Sequence, residues 1–503
     1  MNWICLGIPL VVSLIVKLIL LSILHQATIN MDGILYINAA RQYAVGNMAA
    51  GLAMYPMPAY PMLISLTHKI IPNWIVAGYF ISITSMVLAT VPLYYLTKTM
   101  FGMKEAFWAS LIFALLPKMN EWSLYVSRDP FFLLISAWFI YVGLKSSRKT
   151  DLFLFGITFI LAWTSILIRI EGLIFVFFYA GVLMYRAFAA KEHKGLYFLK
   201  FLIWLGVPLG FGLITLGSMG CQDISVNRFN NVYASFVTLF NGDFLNVYFE
   251  IYSFFSEAEK HPPFSGWHYN FAALSRHYLL IIYMMGMMEV LIKLISPLSC
   301  IPLYMALKER FTAQGKFTLW LFFMFIAVFY YSLLVRDFIA TRFLMIPAFL
   351  LLPWVGAGIN KLWIKRTNAP HKVLTMIILL SLLLAPAVKT FCLIRVNDNT
   401  IPCAVKWLAK KSLAEKITIV TNDKKVLFYA GMETEKNPNW NIQVYDNKDF
   451  KSIETFAMDQ KAGVIILKRR LKKNKEMPCF DFFKEIATFA NKTDITAIYV
   501  LNS

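Results

Sequence analysis

Asn30-Met31-Asp32-Gly33-Ile34-Leu35-Tyr36-Ile37-Asn38-Ala39-Ala40-Arg41-Gln42-Tyr43 begins shortly after an apolar run, residues 4–24, comes to an end. A run of that length spans a bilayer, which puts Asp32 near the membrane interface. An ionisable group at that depth is costly to hold and is a functional candidate by default. From Asp32 onward the pattern is helical, with Tyr36, Ala40 and Tyr43 following on one face at i+4, i+8 and i+11. At about 100° per residue Arg41 falls on the opposite face, so it is no intrahelical partner for Asp32. A Gly46-Asn47 turn follows, then Tyr55-Pro56-Met57-Pro58-Ala59-Tyr60-Pro61. Asp is also a favoured helix N-cap. A capping role, a chemical role, or both remain open for Asp32 at this point.

Composition sets the class. Of 503 residues, 59% are hydrophobic, 16% aromatic and only 15% charged. That balance describes a polytopic α-helical membrane protein. The net charge of +20 does not imply nucleic acid, because much of the Lys and Arg sits in short loops between apolar runs. The remaining basic residues are interleaved with Asp and Glu in the polar C-terminal segment. The six cysteines form no metal-binding spacing. Cys5, Cys300 and Cys392 read as small buried hydrophobes. Cys403 and Cys479 share the C-terminal segment, and an extracytoplasmic location would permit their pairing.

The apolar runs predict about eleven transmembrane helices. They cover residues 4–24, 74–97, 105–118, 130–144, 152–168, 173–188 and 201–219, one within 277–307, then 317–335, 343–359 and 373–394. The first run is too long for a typical signal peptide and reads as a retained anchor. Lys17 inside it must snorkel or face the bundle. The first outer loop, 25–73, holds two amphipathic helical pieces, and a long loop covers 221–276. Basic clusters close the second, fourth, sixth, eighth and tenth runs on one side. By the positive-inside rule the N-terminus is then cytoplasmic and the C-terminus outside, in a cell (inner) membrane. Residues 1–397 form the membrane domain. Residues 398–503 form a small extracytoplasmic α/β domain, with helices at 405–413, 426–430 and 480–490 and strands at 417–420, 464–467 and 495–501.

Five acids lie at run ends on the predicted outer side: Asp32, Glu121, Asp129, Glu171 and Asp337. Arg128, Arg169, Arg336 and Arg342 lie there too, and three of these loops set an acid beside an Arg. Planar guanidinium suits bidentate grip on a phosphate, and a partly desolvated carboxylate suits proton transfer. The pattern fits a cavity for a phosphate-bearing lipid. It also fits Arg–acid pairs that merely satisfy one another.

The first loop resembles that of the GT-C glycosyltransferases, especially the polyprenyl-phosphate-sugar-dependent group. This group includes protein O-mannosyltransferases and the aminoarabinose transferases of lipid A. The resemblance rests on Asp32, Tyr36, Ala40-Arg41 and the segment from Tyr55 to Pro61, on Arg169-Ile170-Glu171-Gly172, and on Arg342-Phe343 followed by Pro347. It implies an inverting transferase in which Asp32 is the base and Asp129 a second acid that orients the acceptor. It implies that Arg342, with Arg128, Arg169, Glu171 and Arg336, surrounds the lipid phosphate, and that Tyr36, Tyr55 and Tyr60 line the substrate. The partners implied are a polyprenyl-phosphate-linked sugar, an acceptor of unassigned kind (glycolipid, polysaccharide or protein) and membrane lipids. Gly33 departs from the pattern of the protein O-mannosyltransferases, and Leu35 and Met57 from that of the aminoarabinose transferases, so neither subfamily is assigned.

His25, His68, His261, His268 and His277 are scattered without ligand spacing. No metal and no cofactor is expected, although paired carboxylates are able to hold a divalent ion. The competing reading is a membrane transporter or lipid flippase. That class usually places ionisable groups at mid-membrane and shows repeated halves. A non-catalytic scaffold would tolerate a neutral residue at Asp32. The sequon Asn491-Lys492-Thr493 carries little weight.

Overall fold

A computed structural model describes residues 2–24, 29–190, 192–218, 241, 245–260, 266–308, 313–336, 338–368, 372–392, 399–411, 417–434, 440–446, 452–470, 477–491 and 494–501. Asp337, His25, His261-Pro262-Pro263 and two residues of the sequon, Lys492 and Thr493, lie outside the described residues. The chain divides into two compact units, Met1–Lys17 with Tyr36–Cys392, and Leu18–Leu35 with Leu393–Ser503.

The first unit is helical. Its elements begin with α1 (Asn2–Leu24), α2 (Met31–Ala44), α3 (Met48–Met54) and α4 (Ala59–His68). They continue with α5 (Trp74–Leu88), α6 (Thr90–Met100), α7 (Met103–Leu115) and α8 (Pro117–Ser123), then α9 (Arg128–Ser146), α10 (Leu152–Ile168), α11 (Leu173–Ala189) and α12 (Lys194–Ser218). α1 and α2 cross the division into the second unit. Polar caps start several of these helices. Asn73 accepts from the Ile75 and Val76 amides at 3.1 Å each, and Asp151 accepts from Phe153 and Leu154 at 2.8 and 3.3 Å. Each satisfies amides that a helix start leaves unpaired.

Among the described residues, seven helices are long and apolar enough to cross a membrane. The bent pair Phe271–His277 and Leu279–Ile295, which turns by 80°, makes an eighth if counted as one span. The predicted third span is broken. α7 has 13 residues, about 20 Å of helix, against roughly 30 Å of hydrocarbon. Leu116 is extended because Pro117 follows it, and the chain restarts as α8 with Pro117 at its first turn. α10, with 17 residues, is likewise a short apolar helix.

The span Thr341–Ile364 is 94% buried and is the centre of the bundle, whereas Ile4–Ile23 is 33% and Lys372–Cys392 22% buried. A helix that is apolar all round belongs in a core, and the outer helices turn apolar faces outward, as toward lipid. Gly358 lets the central helix touch the segment Cys300–Leu307: a Cβ there would fall 1.8 Å from the Pro302 carbonyl oxygen. Lys17 faces the bundle. It is fully buried, and its Nζ donates to Ser13 Oγ and Asn120 Oδ1 at 2.9 Å each.

The second unit contains a five-stranded mixed sheet of order β2-β1-β3-β5-β4. The strands are β1 (Ile417–Thr421), β2 (Trp440–Val444), β3 (Val464–Arg470), β4 (Phe483–Ala490) and β5 (Asp494–Leu501). β1 pairs in parallel with β2 and β3, while β5 is antiparallel to β3 and β4. Side chains alternate across it. Val464 and Ile466 pack with the helix Thr400–Lys410, and Ile465 and Leu467 with the helix Ser452–Asp459. The segment predicted as a helix over 480–490 is strand β4 instead. Phe482, Ile486 and Phe489 have near-helical spacing, but pairing with β5 overrides it. Cys403 and Cys479 are both free thiols. The Ile29 amide donates to the Tyr429 hydroxyl at 2.8 Å, which ties the stretch before α2 to this unit.

Candidate active site

α9 starts at Ser127-Arg128-Asp129. The Ser127 hydroxyl accepts from the Asp129 amide at 3.3 Å and donates to Asp129 Oδ2 at 2.7 Å. Asp129 Oδ1 receives Arg169 Nη1. Arg169 is the extended residue after α10, and a single 3-10 turn, Ile170–Gly172, joins it to α11. That turn folds Glu171 back onto it. Arg169 Nε reaches Glu171 Oε2 at 3.1 Å and Nη2 reaches Oε1 at 2.6 Å, a side-on fork. Arg169 therefore bridges two carboxylates from different elements. The Arg169 and Asp129 side chains are each 3% exposed and that of Glu171 is 18% exposed. The Phe132 and Phe343 rings lie 5.5 Å from the Arg169 guanidinium carbon, within cation–π range.

Gly172 has to be small for this turn to close. An added Cβ would stand 2.4 Å from Ser165 Oγ and 2.6 Å from the Ile166 nitrogen. Gly172→Ala is expected to destabilise the protein by about 1–3 kcal/mol through overpacking. A lower thermal unfolding midpoint in detergent would register this, and an unchanged midpoint would show that the turn has room.

Arg128 Nη1 donates to the Tyr55 hydroxyl and, at 3.3 Å, to the Ile168 carbonyl. Tyr36, Tyr55 and Tyr60 are all buried, and the Tyr36 ring meets the other two edge-on, with centroids 4.9 and 5.2 Å away. The Tyr60 hydroxyl lies 3.2 Å from Ser82 Oγ, which in turn donates to the Ser127 carbonyl at 3.2 Å. The three tyrosines thus fasten α2, α4 and the segment between α3 and α4 against α5 and the start of α9, and they hold the Tyr55 hydroxyl on Arg128.

Arg342 sits in a 3-10 turn, Thr341–Leu344, that precedes the central helix. Trp122 Nε1 donates to Thr341 Oγ1 at 3.2 Å and pins that turn. Arg342 shares a small pocket with Asp129, Arg169 and Glu171, and its guanidinium carbon is 5.6 Å from the Phe343 ring centroid. Arg128 lies in electrostatic range of Glu171. These three guanidiniums and two carboxylates carry a formal charge of +1, which favours an anion.

The predicted residues Arg128, Asp129, Arg169, Glu171 and Arg342 are therefore brought together. Arg336 is not among the residues of the pocket; it is exposed at the end of the helix Ala313–Arg336. Glu121 pairs with Lys118 at 2.6 Å within α8. Asp32 is the second residue of α2 and half-buried, so it stands inside the first turn rather than before it. It belongs to the second unit, and the Arg–carboxylate cluster to the first. The sequence pattern assigned no role to Ser127, Ser82 or Phe132, and it marked Phe343 only as the neighbour of Arg342. Only Ser127 left a signal, a capping residue directly before Arg128-Asp129.

The sequence model of the dolichyl-phosphate-mannose-protein mannosyltransferases matches residues 55–217. A sequence search of curated proteins finds no match. Archaeal oligosaccharyltransferase AglB from Archaeoglobus fulgidus, solved with an inhibitory peptide and a dolichol-phosphate, has a similar structure. The TM-score is 0.52 at 11% identity, over 93% of this chain and 69% of that one. ArnT from Cupriavidus metallidurans bound to undecaprenyl phosphate gives a TM-score of 0.48 at 11% identity, over 98% and 97% of the two chains. The chain thus shares its fold with AglB, and its segment 55–217 is similar in sequence to the mannosyltransferases.

Proposed function

We propose that this protein moves a sugar from a polyprenyl-phosphate donor to an acceptor hydroxyl on the outer face of the membrane, with inversion. Asp32 takes the proton of the acceptor hydroxyl. The acceptor oxygen bonds to the sugar C1 as the bond from C1 to the lipid phosphate breaks, and the electron pair leaves with the polyprenyl phosphate. The net positive Arg128–Asp129–Arg169–Glu171–Arg342 cluster carries this reading. Arg169 is occupied by two carboxylates and acts as their holder. Arg342, together with Arg128, takes the phosphate. The segment matching the mannosyltransferase family contains Arg128, Asp129, Arg169 and Glu171. The dolichol-phosphate bound by AglB, which has the same fold, also supports a lipid-phosphate donor.

The test is sugar transfer from a radiolabelled polyprenyl-phosphate sugar in membranes, with Arg342→Gln beside wild type. Loss of one charge-assisted phosphate contact is expected to weaken donor binding by roughly 10–100-fold. Binding of the free polyprenol should not change. No transfer by wild type from any such donor would favour a transporter or flippase.

A further inference from the structure

A second charged cavity lies at the opposite ends of α9 and α11 from the Arg–carboxylate cluster. It has a volume of about 610 Å³, within the usual range for ligand pockets, and its walls include Arg148, Lys149, Asp151, His193 and Tyr197. Arg186, in the last turn of α11, stands close enough to Arg148 that burial and then this second guanidinium lower the Arg148 side chain from its ordinary value. Among the described residues, no carboxylate pairs with Arg148, Lys149 or Arg186. Asp151 is nearby, but its carboxylate is committed to the first amides of α10. Glu192 is exposed. The four cations Arg148, Lys149, Arg186 and Lys200 outnumber the two carboxylates Asp151 and Glu192 here, and a surplus of positive charge in a concavity favours an anion.

The surroundings identify the kind of anion. Tyr185 and Phe188 at the end of α11, and Leu152 and Phe153 at the start of α10, are all exposed. Aromatic side chains beside cations at helix ends mark the headgroup level of a bilayer. Lys200 is buried beside the cavity residue Tyr197, with its Nζ 5.4 and 5.8 Å from the Phe155 and Tyr197 ring centroids and donating to the Asp151 carbonyl at 3.4 Å. A soluble anion has no use for the exposed aromatic rim, whereas a phospholipid uses both parts. We propose that this cavity binds the phosphate headgroup of an anionic phospholipid, with the acyl chains against Tyr185 and Phe188. The loops here are those assigned to the cytoplasmic side by charge, where anionic lipids bind basic pockets between helices.

The full-length protein in phosphatidylcholine nanodiscs doped with phosphatidylglycerol provides the test, with retained lipid counted by native mass spectrometry. Wild type should retain phosphatidylglycerol. Arg148→Gln/Arg186→Gln should bind it roughly 30-fold more weakly, since each cation near the surface contributes about a factor of 5. Lys98→Gln, a cation outside the cavity, should behave as wild type. If the double variant does not fold, Lys149→Gln at an exposed position should show a fall of roughly 5-fold. Equal retention by wild type and the variants would overturn the proposal. Displacement of the lipid by inorganic phosphate at matched ionic strength would overturn the lipid assignment in favour of a free anion.

Discussion

Asp32→Asn is expected to lower sugar transfer by roughly 10²–10⁴-fold, the usual contribution of a general base, while donor binding stays unchanged. Asn keeps the shape and hydrogen-bonding reach of Asp but accepts no proton at neutral pH. The prediction therefore separates turnover from binding. Asp32 lies in the first turn of α2, where a carboxylate also interacts favourably with the helix dipole. That role alone is worth about 0.3–1 kcal/mol, which would appear as a small stability loss. Transfer from a radiolabelled donor, donor binding and protein abundance should be measured in the same membranes. Lost turnover with donor still bound supports proton abstraction at Asp32. Unchanged turnover would reduce Asp32 to a dipole partner and remove it from the mechanism.

Parts of this architecture were legible in the sequence for simple reasons. Long apolar runs dictate membrane-spanning helices because a bilayer leaves backbone groups no other partner. The break at Leu116-Pro117 was visible as a proline, but its meaning depends on α8 continuing beyond it. Strand β4 was not legible, because Phe482, Ile486 and Phe489 fit a helix until β5 is placed beside them. The same division holds at the site. Arg169 and Glu171 are two residues apart, and their pairing is local. The bond from Arg169 to Asp129 crosses 40 positions. The Tyr36–Tyr55–Tyr60 contacts require α2, α4 and the segment between α3 and α4 to come together first. The link from Ile29 to Tyr429 crosses 400 positions, with no periodicity to signal it. Proximity in the chain marked which residues carry charge, and tertiary packing determined which of them neutralise one another.

Arg169→Met should be the most destabilising single change in the cluster. It removes the only described cation bonded to Asp129, whose side chain is 3% exposed, and the fork on Glu171. Taking one partner from a buried ion pair costs about 3–5 kcal/mol, because the remaining charge is left without compensation. Arg169→Lys should fall between Met and wild type, since an ammonium is a point charge and cannot fork across two carboxylates. Asp129→Asn and Glu171→Gln introduced together with Arg169→Met should restore much of the stability, because the buried charges then disappear together. The measurement is the thermal unfolding midpoint in detergent, read alongside donor affinity. If Arg169→Met keeps the wild-type midpoint but loses donor binding, Arg169 grips the phosphate itself and the holder role assigned to it is wrong. If the midpoint falls and the neutralised triple variant recovers it, the Asp129–Arg169–Glu171 bridge is a structural clamp. Its function is then to fix the start of α9 and the turn before α11 so that Arg128 and Arg342 meet the anion in one geometry, and preorganised charge of that kind needs no rearrangement when the phosphate leaves.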